Sequence, residues 1–205
     1  MKGCGFTAHY FTDNRSLEEN RKVHAFRFSG HLLEFTTDNG VFSKTGVDYG
    51  TQVILRAAAE EDLKGRVLDL GCGYGVIGIC VKKLFPSCEV VCADINPRAA
   101  ELAEINCRLN QTECSVIVSD GFSGIEGSFD TVITNPPIRT GKKVIYGMFE
   151  DASERLNPGG LFLAVVRKQQ GAESAKRKLE DIFGNCTVVR RDKGYWILRS
   201  SKLTD

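Results

Sequence analysis

The run Thr134-Asn135-Pro136-Pro137-Ile138 is the most chemically specific in this chain. An amine attached to a conjugated ring is a poor nucleophile, because its lone pair is delocalised. Two acceptors aimed at its hydrogens favour the pyramidal, attacking geometry. The side-chain oxygen of Asn135 and the backbone carbonyl of Pro136 can supply them. Pro136 and Pro137 lack N–H groups and stiffen the loop, so the chemistry is that of placing a planar amine in line with an electrophile, a contribution worth several kcal/mol when the alignment is good. No strong base is needed before attack, because the alkylated ammonium readily sheds its proton. A rigid Pro-Pro turn is the plain alternative for an isolated motif of this kind.

Three further motifs each follow an apolar, β-prone run. Val67-Leu68-Asp69-Leu70-Gly71-Cys72-Gly73-Tyr74-Gly75 carries three glycines at every second position. Glycine lets a backbone turn tightly and approach a ligand. A dinucleotide fingerprint needs glycine at Val76, so the spacing disfavours a nicotinamide cofactor. S-adenosylmethionine has no pyrophosphate to cradle but carries a charged amine, which Asp69 could anchor directly or through water. Asp94 ends the next apolar run. There it can accept from both ribose hydroxyls and would repel a 2′-phosphate, and Ile95 beside it could pack on adenine. Asp120 and Gly121 follow the third run, where a carboxylate can accept from the adenine amino group; Asp-Gly is also a common turn. As bland alternatives, Asp94 could be a helix N-terminal carboxylate and the glycines an empty strand-to-helix turn.

These motifs need a scaffold that brings strand ends together. Val23–Phe28 and Leu32–Thr37, split by Ser29-Gly30-His31, read as a hairpin. From residue 51 strands and helices alternate. Thr51 can cap a helix to about Leu63, Arg66–Leu70 is a strand, and a helix follows from Val76 to Phe85. Glu89–Ala93 is a buried strand. Asn96-Pro97 reads as an N-cap with proline at the first helical position, opening a helix to Leu109. Strands Ser115–Val118 and Phe129–Thr134 come next, then a helix Val144–Leu156 and a turn at Pro158-Gly159-Gly160. Strand Leu161–Arg167 and helix Ala172–Phe183 precede two strands, Cys186–Arg191 and Gly194–Ser200. Their two-residue link forces antiparallel pairing. The pattern predicts an α/β, mostly parallel, doubly wound sheet of seven strands with one antiparallel strand near the carboxyl end. Residues 1–50 are expected to form a hairpin and pocket-covering extension, and residues 51–205 the main domain. Ligands in such sheets bind at strand carboxyl ends where the winding reverses.

Composition narrows the setting. The chain has 205 residues, 42% of them apolar, 26% charged, and a net charge of +1. A dedicated nucleic-acid module is usually more basic, so any nucleic-acid contact must come from local clusters. Arg139 with Lys142 and Lys143 is one; Arg190, Arg191 and Lys193 form another; Lys176–Lys178 reads better as a solvated face. None of the eight cysteines is spaced C-x-x-C; they read as small core hydrophobes in a reducing compartment. His9, His24 and His31 have no ligand spacing around them, so no metal is expected. No apolar run approaches the ~18 residues of a membrane span, and a cytoplasmic setting is expected.

Residues 67–137 resemble class I S-adenosylmethionine-dependent methyltransferases, and the Asn-Pro-Pro motif resembles those acting on exocyclic amines. His9–Phe11, Thr36–Thr51 and Asn135–Lys143 together resemble the "methyltransferase small" family, whose characterised members include small-subunit ribosomal RNA guanine-N2 methyltransferases. The resemblance implies a Rossmann-like fold, S-adenosylmethionine as cofactor and RNA as partner. Gly71, Gly73, Gly75, Asp94, Ile95, Asp120, Gly121 and Thr51 would contact the cofactor, and Asn135 both cofactor and amine. Phe42 and the loop to Thr51 would line the pocket, and Ile138, Arg139 and Lys142 would meet the RNA. The sequence departs from the pattern at Ile138, where many amine methyltransferases carry a stacking aromatic; Phe42, Tyr10 and Phe11 are candidates to replace it. It also holds one methyltransferase-like half, whereas the bacterial RNA enzymes carry a second, degenerate one. A protein glutamine methyltransferase is the nearest competing reading, but it ordinarily has an aromatic fourth residue. A DNA adenine methyltransferase, a non-catalytic binding module and an oxidoreductase fit less well.

Overall fold

The computed structural model describes residues 18–137 and 140–204. The hairpin strands are β1 (Lys22–Phe28) and β2 (His31–Thr37), joined by Ser29 and Gly30. Both turn residues have positive φ, 46° and 83°, the combination a two-residue turn needs to match the strand twist. Helix α1 (Tyr49–Ala58) leads to β3 (Arg66–Leu70), α2 (Val76–Leu84), β4 (Glu89–Asp94), α3 (Pro97–Leu109), β5 (Cys114–Val118) and β6 (Phe129–Thr134). Then come α4 (Lys142–Arg155), β7 (Leu156–Arg167), a 3-10 turn over Lys168–Gln170, α5 (Ala172–Phe183), β8 (Thr187–Asp192) and β9 (Tyr195–Ser201).

The main sheet has the order β5-β4-β3-β6-β7-β9-β8. β9 runs antiparallel to both neighbours and the other pairings are parallel, the arrangement expected from sequence. β3, β4 and β6 are buried along almost their whole length because helices cover both faces. One core layer joins α1, α2, α3 and the hairpin; the other joins α4 and α5. The described cysteines are free and, apart from half-buried Cys114, buried in these layers; burial pushes the Cys80 thiol up. The winding reverses between β3 and β6, so the carboxyl ends of these two strands flank the crevice.

Four expectations about element boundaries need correction. Asp48, not Thr51, caps α1: its side chain accepts from the Thr51 N–H. The helix also stops at Ala58 rather than near Leu63, since the acidic run Glu60-Glu61-Asp62 opposes the dipole at a helix C-terminus. The Pro158-Gly159-Gly160 turn is absorbed into β7. Phe129 pairs with Leu156 and Thr131 with Leu161, so the intervening residues form a bulge. The last hairpin turns at Lys193-Gly194, φ 43° and 81°, one residue later than its sequence suggests.

The hairpin is latched to α3 by two asparagines one helical turn apart. Asn106 accepts from Thr36 N–H at 2.7 Å and donates to the carbonyls of Thr36 (3.0 Å) and Tyr74 (2.9 Å). Asn110 does the same for the Glu34 N–H (3.0 Å) and carbonyl (2.7 Å). A buried ion pair, Arg98 Nη2 to Asp38 Oδ2 at 2.7 Å, ties the end of β2 to the start of α3. Alanine suits a helix interior, so Asn106→Ala isolates the bonds it removes. It is expected to cost about 3 kcal/mol, since three buried backbone groups lose partners. A lower urea midpoint at unchanged slope would report this; an unmoved midpoint would refute the latch.

Candidate active site

The glycine-rich turn leaves β3 at Gly71. Its N–H donates to the Ala93 carbonyl at 2.8 Å, and the Cys72 N–H to the same oxygen at 2.9 Å, docking the turn on the end of β4. Gly71 has φ 73°, and a Cβ there would meet nothing within 4 Å, so the turn presents bare backbone to open space. Gly73 has φ 55°. Gly75, the N-cap of α2 at φ 88°, answers a different need: a Cβ would stand 3.1 Å from the Ala103 methyl carbon. Its place is taken by α3.

Asp94 is 3% exposed. Its Oδ2 accepts from Gly73 N–H and its Oδ1 from Asn96 N–H, each at 2.8 Å. Asn96 caps α3 and sends its amide to the Gly40 carbonyl at 3.1 Å. Tyr74 hydroxyl donates to the Gly46 carbonyl at 3.1 Å, so the 40–46 segment lies against the glycine turn. Phe42, in that segment, and Ile95 are 52% and 41% exposed. Asp120 is exposed beyond β5, and Ser119 Oγ braces its turn by donating to the Gly121 carbonyl and accepting from Gly124 N–H.

Asp69 is enclosed. One carboxylate oxygen accepts from the Gly78 N–H at 2.8 Å, and the other is buried with no partner. Burial, with a further contribution from the Asp94 charge and against the Gly78 N–H, pushes its carboxyl up to about 7. Direct contact between Asp69 and a ligand needs the turn to open or a water to intervene.

The Asn-Pro-Pro loop leaves β6 beside this turn, where Thr134 Oγ1 donates to the Leu70 carbonyl at 2.8 Å. Asn135 Nδ2 lies 3.0 Å from Thr51 Oγ1 and 3.4 and 3.5 Å from the two Asp48 oxygens. A carboxylate only accepts, so the amide nitrogen is the end that faces it. The Asn135 oxygen is thereby left without a protein partner among the described residues, as is the Pro136 carbonyl. The Pro137 carbonyl, by contrast, accepts from Thr140 N–H and Oγ1. Thr51 is buried and braces Asn135. Asp48 had no assigned part in the sequence reading; both it and Thr51 are good capping residues, three positions apart, and this hid its double role. Lys142 is exposed at the start of α4, while Ile138 and Arg139 lie outside the described residues, as do His9, Tyr10 and Phe11. Among the described residues no cluster of His, Cys, Asp or Glu could hold a metal ion, and no helix is long and apolar enough to cross a membrane.

A seven-stranded sheet with this order, a bare glycine turn after β3 and acidic side chains after β4 and β5 define a Rossmann-like methyltransferase using S-adenosylmethionine. The open backbone at Gly71 and the unpaired Asp69 oxygen fit that cofactor and its ammonium group. The profile of the methyltransferase small domain matches residues 32–199, and the chain belongs to that family. The uncharacterized protein YbxB of Bacillus subtilis (strain 168) is 38% identical over 198 residues, 95% of this chain and 98% of that protein. Ribosomal RNA small subunit methyltransferase C of Haemophilus influenzae (strain PittGG) is 42% identical over 125 residues, 59% of this chain and 38% of that protein. Among solved structures, the T. thermophilus 16S rRNA N2 G1207 methyltransferase, in complex with AdoMet and guanosine, superposes with a TM-score of 0.81 at 27% identity. That match covers 89% of this chain and 50% of the other. The chain thus spans about half or less of the ribosomal RNA methyltransferases it matches.

Two outcomes are expected. Thr51→Val keeps the shape but removes the acceptor that holds Asn135; turnover should fall about 10-fold or more, the weight of one lost hydrogen bond, and more steeply than cofactor affinity. Equal loss of both in paired kinetics and calorimetry would reject the bracing role. For Asp69 the folded carboxyl titrates near 7, above its ordinary value of 3.8, so the folded state holds the proton more tightly. Its contribution to stability is greatest below about pH 4 and falls as pH rises to about 7. The melting temperature of Asp69→Asn relative to the parent should therefore climb across that window and level off above it. A pH-independent difference would contradict the shift.

Proposed function

We propose that the chain methylates an exocyclic amine of RNA, the N2 amine of guanine in small-subunit ribosomal RNA, in the cytoplasm. The observation that carries this reading is the orientation of Asn135. Thr51 and Asp48 hold its nitrogen, so its oxygen and the Pro136 carbonyl are left as two acceptors on this loop without a protein partner among the described residues. They can take the two N–H groups of one planar amine and favour its pyramidal form. The named activity of the T. thermophilus neighbour and its complex with guanosine support the substrate.

When bound, S-adenosylmethionine supplies an electrophilic methyl group on a sulfonium sulfur. Asp94 would accept from the ribose hydroxyls, and Asp120 from the adenine amine. Gly71 and Gly73 would let the ligand lie on bare backbone, with Gly75 fixing α2 behind them. Ile95, Gly121 and Thr51 would border the cofactor; Phe42 would cover the pocket, as part of an extension formed by residues 1–50 on a domain of residues 51–205. Pro137 stiffens the acceptor loop, and Ile138, Arg139 and Lys142 would meet the RNA. Neither Asn135 nor Pro136 can take a proton, so the spent amine releases its proton to water. The balance would be one methyl carbon gained and one proton lost at that nitrogen, with the bonding pair left on the bound cofactor.

The test is transfer of radiolabelled methyl into a total extract, with the Asn135→Ala variant in parallel. Nuclease-sensitive label in small-subunit RNA, lost in the variant while its cofactor affinity stays within about threefold, is the expected result; an Asn135 bond made only at the reacting amine predicts that split. Protease-sensitive label would move the substrate to a protein amide and overturn the RNA reading.

A further inference from the structure

Beyond the acceptor loop, the carboxyl edge of the sheet carries a second polar feature. β7 ends at Arg167, Lys168 opens the 3-10 turn, and Lys193-Gly194 joins β8 to β9. Arg167, Lys168, Gln169, Lys193 and Gly194 line a cleft of about 160 Å³, the share of roughly five waters at ~30 Å³ each. Its floor is fixed by the Lys168 N–H, which donates to the Gly194 carbonyl at 2.8 Å. The cations are set on aromatic rings. The Arg167 guanidinium lies 5.0 Å from the Tyr195 ring centre and Lys193 Nζ 4.7 Å from that of Tyr49, and the two rings are 5.9 Å apart.

No carboxylate neutralises Lys142, Arg167, Lys168 or Lys193 among the described residues. Elsewhere Arg66, Lys176, Lys178, Arg190 and Arg199 are each paired with a glutamate. The acid nearest in sequence, Asp192, is already engaged by the Tyr49 hydroxyl (2.9 Å) and Arg56 (3.2 Å). The chain's net charge is only +1, so this is a local concentration of positive charge. It is also joined to the acceptor loop on two sides. Tyr195 packs so closely on Gly50 that a Cβ there would stand 2.9 Å from its ring, and Gly50 precedes the Thr51 that holds Asn135. Lys142, which follows the loop, brings its side chain to 3.6 Å from the Cβ position of Gly171, at the end of the 3-10 turn.

We propose that the Arg167–Lys168–Lys193 cleft binds a backbone phosphodiester of the RNA substrate next to the nucleotide presented to Asn135. The proposal rests on RNA being the substrate. Its size and its unpaired cations suit one phosphate group, and a phosphate contact fixes register without reading sequence. The cations already cover the two rings, so base stacking belongs elsewhere.

The experiment compares Lys168→Ala/Lys193→Ala with Lys176→Ala/Lys178→Ala, whose lysines are engaged by glutamates on α5 and α4. Binding of a fluorescent small-subunit RNA fragment is measured across a salt series, and cofactor affinity alongside. The cleft variant should bind RNA about 10-fold more weakly. Its plot of log affinity against log salt should be shallower by about 0.7, the contribution of one phosphate contact on a single strand. The α5 variant should match the parent, and the cofactor should bind all three alike. An unchanged slope in the cleft variant, or the same loss in the α5 variant, would overturn the site while leaving the RNA reading intact. Failure of the parent to bind RNA at any salt would remove both. At matched ionic strength inorganic phosphate should displace RNA from the parent more readily than from the cleft variant; phosphate that binds the parent's cleft without weakening RNA binding would assign the cleft to a free anion and also overturn the proposal.

Discussion

One buried carboxylate holds the ligand-facing half of the molecule in register. Asp94 takes the Gly73 N–H on one oxygen and the Asn96 N–H on the other. The first bond shapes the glycine turn, and the second sets the start of α3. Asn96 then reaches Gly40, so the covering segment is placed from the same point. Three pieces of chain that are distant in sequence are thereby positioned by a group at the end of a single strand. Charge-assisted bonds of this kind are about twice as strong as neutral ones, and the enclosure that strengthens them also raises the carboxyl of neighbouring Asp69.

The acceptor loop is built on the same plan, with polar side chains of one element fixing those of another. Asp48 has two tasks. It caps α1 through the Thr51 N–H and faces the Asn135 amide, so the geometry of a helix end also determines which end of an amide is free. Thr134 links the loop to β3. The loop itself contributes stiffness through its prolines, and its orientation is supplied from residues more than eighty positions away.

Much of this was legible in the sequence, because buried parallel strands announce themselves as apolar runs and Asn96-Pro97 marks a helix start unambiguously. The ends of β3, β6, α3 and α5 fall where the pattern puts them. What could not be read were partnerships across the fold. Asp48 and Thr51 are equally plausible caps, and nothing local says that one braces Asn135. The glycines at 71 and 75 look alike in a motif, yet one faces open space and the other a helix. Likewise, Lys142, Arg167 and Lys193 belong to separate stretches of sequence. Arg167 and Lys193 meet because β9 inserts between β7 and β8, bringing the last turn to the end of β7.

The asparagine latch on the amino-terminal hairpin has a consequence for solubility. A two-stranded ribbon exposes a row of unpaired backbone groups along each edge, an invitation to another chain's strand. Asn106 and Asn110, one helical turn apart, meet alternate residues of β2 and engage both backbone groups of Thr36 and of Glu34. The helix thus impersonates a neighbouring strand with two side-chain amides, and that edge of the ribbon is closed to self-association without a third strand being present.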